Sequence, residues 1–307
     1  MTKKGLVIKS TGSWYTVLSD DIEFLCQIKG KLRLKDTQTT NPITVGDIVE
    51  IEVYENNTGI IVDIDDRKNY IIRKSTRFNK EAHLLAANID QAFLMVSLML
   101  PVTPLEFIDR FLVTAEAYHI KTIILINKID LIDSDKYKLL EDTIDIYTKI
   151  GYQCFAISVV NGTNINLVKE TLNNKLSLIA GNSGVGKSSF INLLDPNLNL
   201  KTAEISDLHK SGKHTTTFSE IFCIGENTYI IDTPGIKGFG LIDLSVQDVG
   251  FFFPEIFRIS KNCKYANCTH IHEPNCAVID AVKKREISSS RFRSYLNLIT
   301  QDSTKYR

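Results

Sequence analysis

Short stretches near the start of the chain alternate apolar and polar positions. Gly5-Leu6-Val7-Ile8, Trp14-Tyr15-Thr16-Val17-Leu18 and Asp47–Val53 are of strand length and rich in β-branched or aromatic residues. Turn residues separate them, so residues 1–75 are predicted to form a small all-β barrel. Five strands in that length suit an OB-fold, and spacing alone does not separate this from an SH3-like barrel. From about residue 78 the pattern changes. Gln91–Val96 and Thr122–Ile126 are near-continuous apolar runs, as expected of strands buried on both faces of a parallel sheet. Between them Leu105, Ile108, Phe111, Leu112 and Ala115 recur at helical spacing over Pro104–Tyr118. Strand, helix, strand is the signature of an α/β domain. The last segment, from about 243, carries helices predicted over Cys276–Lys284 and Ser288–Leu298.

Composition narrows the class. Of 307 residues, 43% are hydrophobic and 23% charged, so the chain can bury a sizeable core. No apolar run approaches the ~20 residues that span a bilayer. The first residues, Met1-Thr2-Lys3-Lys4-Gly5, lead into a strand pattern without a signal-peptide apolar stretch, so a cytoplasmic protein is expected. Lys and Arg (36) balance Asp and Glu (36), so any nucleic-acid contact must come from local patches. Cys26, Cys154 and Cys223 lie in apolar surroundings and read as small core residues, whereas Cys263, Cys268 and Cys276 are clustered.

Gly181-Asn182-Ser183-Gly184-Val185-Gly186-Lys187-Ser188 fits the phosphate-binding loop G-x-x-x-x-G-K-[ST]. A strand-like Leu176–Ala180 precedes it and a helical Ser189–Leu194 comes after. The glycines let backbone N–H groups wrap the phosphates, Lys187 supplies a charge to the β- and γ-phosphates, and Ser188 offers its hydroxyl to Mg²⁺. Asn127-Lys128-Ile129-Asp130 names the base. Asp130 can accept from the N1–H and the 2-amino group of guanine, which adenine lacks, and this argues against an ATPase. Asn127 can tie this loop to the phosphate loop, and the Lys128 stem can cover a face of the base. The Ser158 backbone, at the end of a strand predicted over Tyr152–Ile157, can reach the guanine O6.

Asp232-Thr233-Pro234-Gly235 comes after an apolar Tyr229–Ile231. Asp232 at that strand end can hold Mg²⁺ through water, and the Gly235 N–H can reach the γ-phosphate. In Ser211–Thr217, Thr216 is favoured to complete the magnesium shell, with Thr215 and Thr217 as alternatives. Ile236 stands after Gly235, and an apolar side chain cannot orient water, so slow intrinsic hydrolysis is expected. His214 is a candidate for that water or a solvated loop residue. The base motif precedes the phosphate loop, the reverse of ordinary GTPases, so the motifs are circularly permuted.

Cys263-x4-Cys268-x-His270-x5-Cys276 offers three thiolates and an imidazole, a closed tetrahedral set for one structural Zn²⁺. His270 is preferred to His272 because the Cys-x-His spacing makes a tight chelate. Lys29, Lys31, Arg33 and Lys35 alternate with Gly30, Leu32 and Leu34, which on a strand is either a stripe for RNA phosphates or a solvated edge. Residues 255–307 hold ten Lys and Arg against five Asp and Glu, an excess that also fits RNA.

Together, the permuted order, Gly212-Lys213-His214-Thr215-Thr216-Thr217, Asp232–Gly235 and the cysteine–histidine spacing resemble the RsgA (YjeQ) family of small ribosomal subunit biogenesis GTPases. Lys68, Arg73, Lys74 and Ala86–Gln91 resemble its linker and first core strand. The resemblance spans essentially the whole chain. It implies an OB-fold barrel (1–75), a permuted P-loop GTPase (76–242) and a mainly helical zinc-binding unit (243–307). It further implies binding to the 30S subunit and 16S rRNA, hydrolysis of GTP stimulated by that subunit, and action late in its maturation. A monomer without membrane contact is expected.

Overall fold

A computed structural model describes residues 2–30, 42–74, 82–198, 220–232 and 248–303. Strands β1 (Thr2–Ser10), β2 (Tyr15–Ser19), β3 (Ile22–Ile28), β4 (Ile48–Tyr54) and β5 (Thr58–Ile64) form the N-terminal barrel. Alternate side chains point inward, among them Val7, Val17, Phe24, Cys26, Val49, Ile51 and Ile61, and make its core. β1 pairs with both β2 and β4, and β3 runs parallel to β5, so the order β1-β2-β3-β5-β4 closes on itself. That Greek-key closure is OB-like. β3 stops at Ile28, so Lys29 lies beyond the strand, where it pairs with Glu52 at 3.7 Å. The remaining cations of the basic stripe lie outside the described residues.

β6 (Tyr70–Lys74) and β7 (Ala82–Ala87) form an antiparallel hairpin that the sequence pattern did not reveal. This hairpin fixes the barrel to the α/β domain. Ala87 N–H donates to Val45 O at 2.9 Å and the Asn88 amide to Gly46 O at 2.9 Å. Gly46 has φ +90°, and a Cβ there would lie 2.0 Å from Ala87 O, so only glycine permits the approach. Buried Asp47 receives the Arg67 guanidinium through two bonds of 2.6 and 2.8 Å. Such a two-pronged contact fixes angle as well as distance.

The chain then builds β8 (Gln91–Ser97), α1 (Leu105–Ala117), β9 (Lys121–Asn127), α2 (Tyr137–Thr148), β10 (Gln153–Ala156), α3 (Ile165–Leu172), β11 (Leu176–Ala180), α4 (Lys187–Leu194), β12 (Glu220–Gly225) and β13 (Thr228–Asp232). The spatial order is β10-β9-β8-β11-β13-β12, parallel except for β12. Every residue of β8 is buried, which is why its apolar run is continuous. Leu94 and Val96 join one core with Phe111 and Leu112 of α1 and Tyr147 of α2. Phe93 and Met95 point to the other face, with Val168 of α3 and Phe190 of α4. Each such side chain removed from water contributes roughly 1.5–3 kcal/mol. β12 also meets β1 through the Lys9–Glu220 backbone pair, and their side chains form an ion pair at 2.8 Å. Cys223, expected in a core, is exposed on β12, where burial falls off along the strand.

The C-terminal unit holds a short turn of helix (Val249–Phe252), α5 (Pro254–Ser260), α6 (Ala277–Lys283) and α7 (Ser289–Ser303). α7 runs past the predicted Leu298. Val113 of α1 enters the core of this unit beside Phe253, Ile256, Leu298 and Ile299. Below them lies a buried ionic cluster. Arg291 of α7 donates to Asp109 of α1 at 2.8 Å and to both oxygens of Glu255 of α5 at 2.8 and 3.2 Å. All three side chains are at most 1% exposed, Tyr147 donates to Asp109 at 3.0 Å, and the guanidinium lies 4.5 Å from the centre of the Phe253 ring. No helix among the described residues is long and apolar enough to cross a membrane.

Removing one partner of a buried ion cluster leaves uncompensated charge. Arg291→Ala is therefore expected to cost about 3–5 kcal/mol in denaturant unfolding of the full chain, and Arg291→Lys to recover little because an ammonium cannot span both carboxylates. Wild-type stability in Arg291→Ala would contradict the role of this cluster in holding the C-terminal unit.

Candidate functional site

Chain order places β9 and β10 on one side of β8 and β11 and β13 on the other. The order reverses between β8 and β11, and ligands of open α/β sheets bind beyond the carboxyl ends of the strands at such a point. The phosphate loop leaves β11 there, and the base motif leaves β9 one strand away. Asn127, 3% exposed, joins them. Its amide donates to Val185 O at 2.8 Å, and its oxygen accepts from Val159 N–H at 3.1 Å, so three loops share one side chain. Gly186, with φ +104°, caps the start of α4, and a Cβ on it would lie 2.5 Å from the Asn127 amide nitrogen. Glycine is therefore set by backbone angle and by the base loop together.

Lys187 opens α4, and its ammonium donates to Gly181 O at 2.7 Å and Asn182 O at 2.8 Å, inside the loop's curve. Ser188 is half-buried in the first turn, while Ser183, Gly184 and Ser189 are exposed. Lys128 adopts a left-handed backbone (φ +67°) and donates to Leu100 O in the loop after β8. Asp130 is exposed and accepts from the Ser158 hydroxyl. The Ser158 backbone N–H, expected on guanine O6, donates instead to Thr163 O at 3.2 Å. Asp232 ends β13, which runs parallel beside β11, so that strand also ends on the phosphate-loop side. His214, Thr216, Gly235 and Ile236 lie outside the described residues.

The second site is built from the cysteines. The ligand atoms of Cys263, Cys268, His270 and Cys276 all lie within 4.8 Å of one another. His270 Nδ1 is 3.3 Å from Cys276 Sγ and 3.7 Å from Cys263 Sγ, and those two sulfurs are 3.9 Å apart. A tetrahedral Zn²⁺ with Zn–S bonds of about 2.3 Å has S–S edges of about 3.8 Å, so the donor set fits in chemistry and spacing. His272 is exposed and outside the group. Burial lowers the His270 pKa, which favours the neutral, ligating imidazole. Desolvation pushes the Cys268 thiol up to about 12, and a bound cation would offset the cost of gathering three thiolates. Glu273 organises the ligand loop: it accepts from Thr269 N–H at 2.7 Å, the Thr269 hydroxyl at 2.6 Å and Ile271 N–H at 3.0 Å. Partial burial opposes its charge, yet these donors hold its carboxyl down at about 2. Tyr295 of α7 donates to Thr269 O at 2.8 Å and ties this loop to the helix that carries Arg291.

Comparison with known proteins agrees with this arrangement. Residues 64–242 match the family described as RsgA GTPase, and residues 4–61 the RsgA N-terminal domain. The chain belongs to the RsgA family. "Small ribosomal subunit biogenesis GTPase RsgA 2" of Bacteroides thetaiotaomicron is 51% identical over 306 residues, covering 99% of each chain. The RsgA protein of Bacteroides fragilis is 52% identical with the same coverage. The crystal structure of YjeQ from Thermotoga maritima superimposes with a TM-score of 0.82 at 32% identity, over 98% of each chain. YloQ, described as a circularly permuted GTPase, gives 0.77 at 28% identity, over 99% of this chain and 96% of its own. As an RsgA-family member the chain is a GTP-hydrolysing enzyme, and the family implies Mg²⁺ with the nucleotide.

Sequence reasoning missed Glu273 and Tyr295. An acid between His270 and Cys276 was the available sign for the first, whereas nothing local marks Tyr295. Cys263→Ala should remove one of four ligands, release zinc and loosen the C-terminal unit, read by metal analysis of the purified protein. Full zinc content in that variant would contradict the site.

Proposed function

We propose that the chain is a ribosome-dependent GTPase that binds the 30S subunit and acts late in its maturation. It converts GTP to GDP and phosphate, slowly alone and faster on the subunit. The observation that carries the nucleotide reading is the Asn127 carboxamide joined to Val185 and Val159, because it sets a guanine-reading loop and a phosphate loop as one surface. Support for the ribosomal reading comes from the relatives, whose names are those of small ribosomal subunit biogenesis GTPases.

In this reading Asp130 accepts from the guanine N1–H and 2-amino group, with its carboxylate oriented by the Ser158 hydroxyl. The Lys128 stem covers the base. The 181–186 backbone and Lys187 hold the phosphates, while Ser188, Thr216 and Asp232 hold Mg²⁺ directly or through water. Mg²⁺ held by these residues would supply positive charge to offset the charge that builds on the phosphates in the transition state. The Gly235 N–H contacts the γ-phosphate. Ile236 has no side-chain polar atom for water, so the bare enzyme is slow, and His214 is assigned to the water when the subunit is bound. Zn²⁺ on Cys263, Cys268, His270 and Cys276 is structural. The proposed domains are 1–75, 76–242 and 243–307, with 16S rRNA as a partner, a monomeric state and a cytoplasmic location.

Turnover of GTP measured alone, with 30S and with 50S subunits tests this. A rise of roughly tenfold or more with 30S only is expected, since ordering of a water-positioning group gives large rate effects. Lys187→Ala should lose turnover under every condition. Normal GTP binding with no response to either subunit would contradict the ribosomal assignment, and wild-type turnover in Lys187→Ala would contradict the site.

A further inference from the structure

The C-terminal unit exposes three aromatic residues and an isoleucine that a buried core would be expected to hide. Phe251, Phe257, Tyr265 and Ile271 are 57%, 40%, 41% and 47% exposed. Three of them share one surface. The Phe251 and Phe257 rings meet edge to face at 5.6 Å, and Phe251 and Tyr265 both line a cavity of about 430 Å³ beside the cysteine cluster. That volume is within the range of about 300–1,000 Å³ typical of small-ligand clefts.

Cations attend these rings. Lys261 Nζ lies 5.0 Å from the Phe257 ring centre and Lys264 Nζ 5.6 Å from that of Tyr265. Arg258 is exposed on the same stretch, and residues 257–267 include no Asp or Glu. Asp248 is the one acid among the described lining residues. The exposed Asn267 amide lines the cavity and has no intramolecular hydrogen bond among the described residues, so it offers both donors and an acceptor.

Aromatic faces, flanking ammonium groups and an amide at the cavity wall match the chemistry of an unstacked base with its phosphates. We propose that this cleft binds one unpaired nucleotide of an RNA strand. The base stacks on Phe251 or Tyr265, Asn267 hydrogen-bonds its edge, and Lys261 and Lys264 take the adjoining phosphates. A protein partner fits less well: three exposed cations against the one lining acid, Asp248, suit a polyanion. The proposal rests on the RNA-contacting part of the function above and assigns it a specific place.

The test uses the full, zinc-loaded chain and a fluorescein-labelled octauridylate, read by anisotropy, with a 4-thiouridine version for crosslinking and peptide mapping. The wild type should bind it and crosslink within 251–267. Phe251→Ala with Tyr265→Ala should weaken binding by about 5- to 150-fold per stacked base lost. Zinc content and intrinsic GTP turnover should stay at wild-type values, which separates lost stacking from misfolding. Lys261→Ala with Lys264→Ala should flatten the log–log salt dependence by about 1.4, the single-strand value for two phosphates. Three results would overturn the cleft: no binding by the wild type, wild-type affinity in the aromatic double variant, or crosslinks confined elsewhere. Loss of 30S binding with unchanged octauridylate binding would assign the surface to protein and also overturn it. If the cleft fails while 30S-stimulated turnover persists, the proposed function stands. If wild-type turnover ignores the subunit, that function falls and the oligonucleotide data judge the cleft alone.

Discussion

The nucleotide half of this protein depends on one buried carboxamide. Asn127 satisfies Val185 O and Val159 N–H at once and so fixes the ends of β9, β10 and β11 relative to one another. Removing it would leave buried backbone groups unpaired at a cost of about 1–3 kcal/mol each and let three loops drift independently. The Gly186 backbone has no room for a side chain because that amide occupies it. Connectivity is secondary to this contact. The base motif precedes the phosphate loop in sequence, yet β9 and β11 flank β8 in the sheet, and the contact is made across the switch point.

The units added at either end are held to the same core by different physics. The barrel meets it through backbone contacts at Gly46 and Ala87, the Asp47–Arg67 pair and the Lys9–Glu220 pair on β12. The C-terminal unit is held by Arg291, Asp109 and Glu255, a buried cluster whose geometry must be complete to offset its desolvation. Asp109 and Val113 both belong to α1, the helix after β8. The cysteine cluster is thus linked to the GTPase sheet through Tyr295 and Arg291 on a single helix, α7.

Much of this was legible in the sequence because it is local. Continuous apolar runs marked β8, β9 and β11, since both faces of those strands are covered. Alternation marked the barrel, and motif spacing marked the phosphate loop and the cysteine–histidine set. The barrel type was settled by pairing, namely the parallel β3–β5 contact, which no single strand encodes. The β6–β7 hairpin escaped because its strands are short and lie beside a run of polar residues. Arg291 and Asp109 lie 182 positions apart, so their pairing leaves no local pattern. Strand-end position singled out Ser158, but not its bonding: its N–H donates to Thr163 O, and its hydroxyl faces Asp130. Cys223 shows the opposite failure: its apolar neighbours suggested a core, but burial falls off along β12 and leaves it exposed. Most of the basic stripe, His214, Thr216 and Gly235 lie outside the described residues.

The proposed nucleotide reading turns on Asp130, which accepts from the Ser158 hydroxyl on a loop tied down by Asn127, as the residue that would read the base as guanine. Calorimetric titration of wild type and Asp130→Asn with GTP and with xanthosine triphosphate isolates that contact. Xanthine presents a carbonyl where guanine presents its 2-amino donor, so an amide can donate to it where a carboxylate cannot. The wild type should prefer GTP, and Asp130→Asn should lose GTP affinity while gaining affinity for xanthosine triphosphate. Unchanged GTP binding in that variant would contradict the assignment of the base-reading residue and the site built around it.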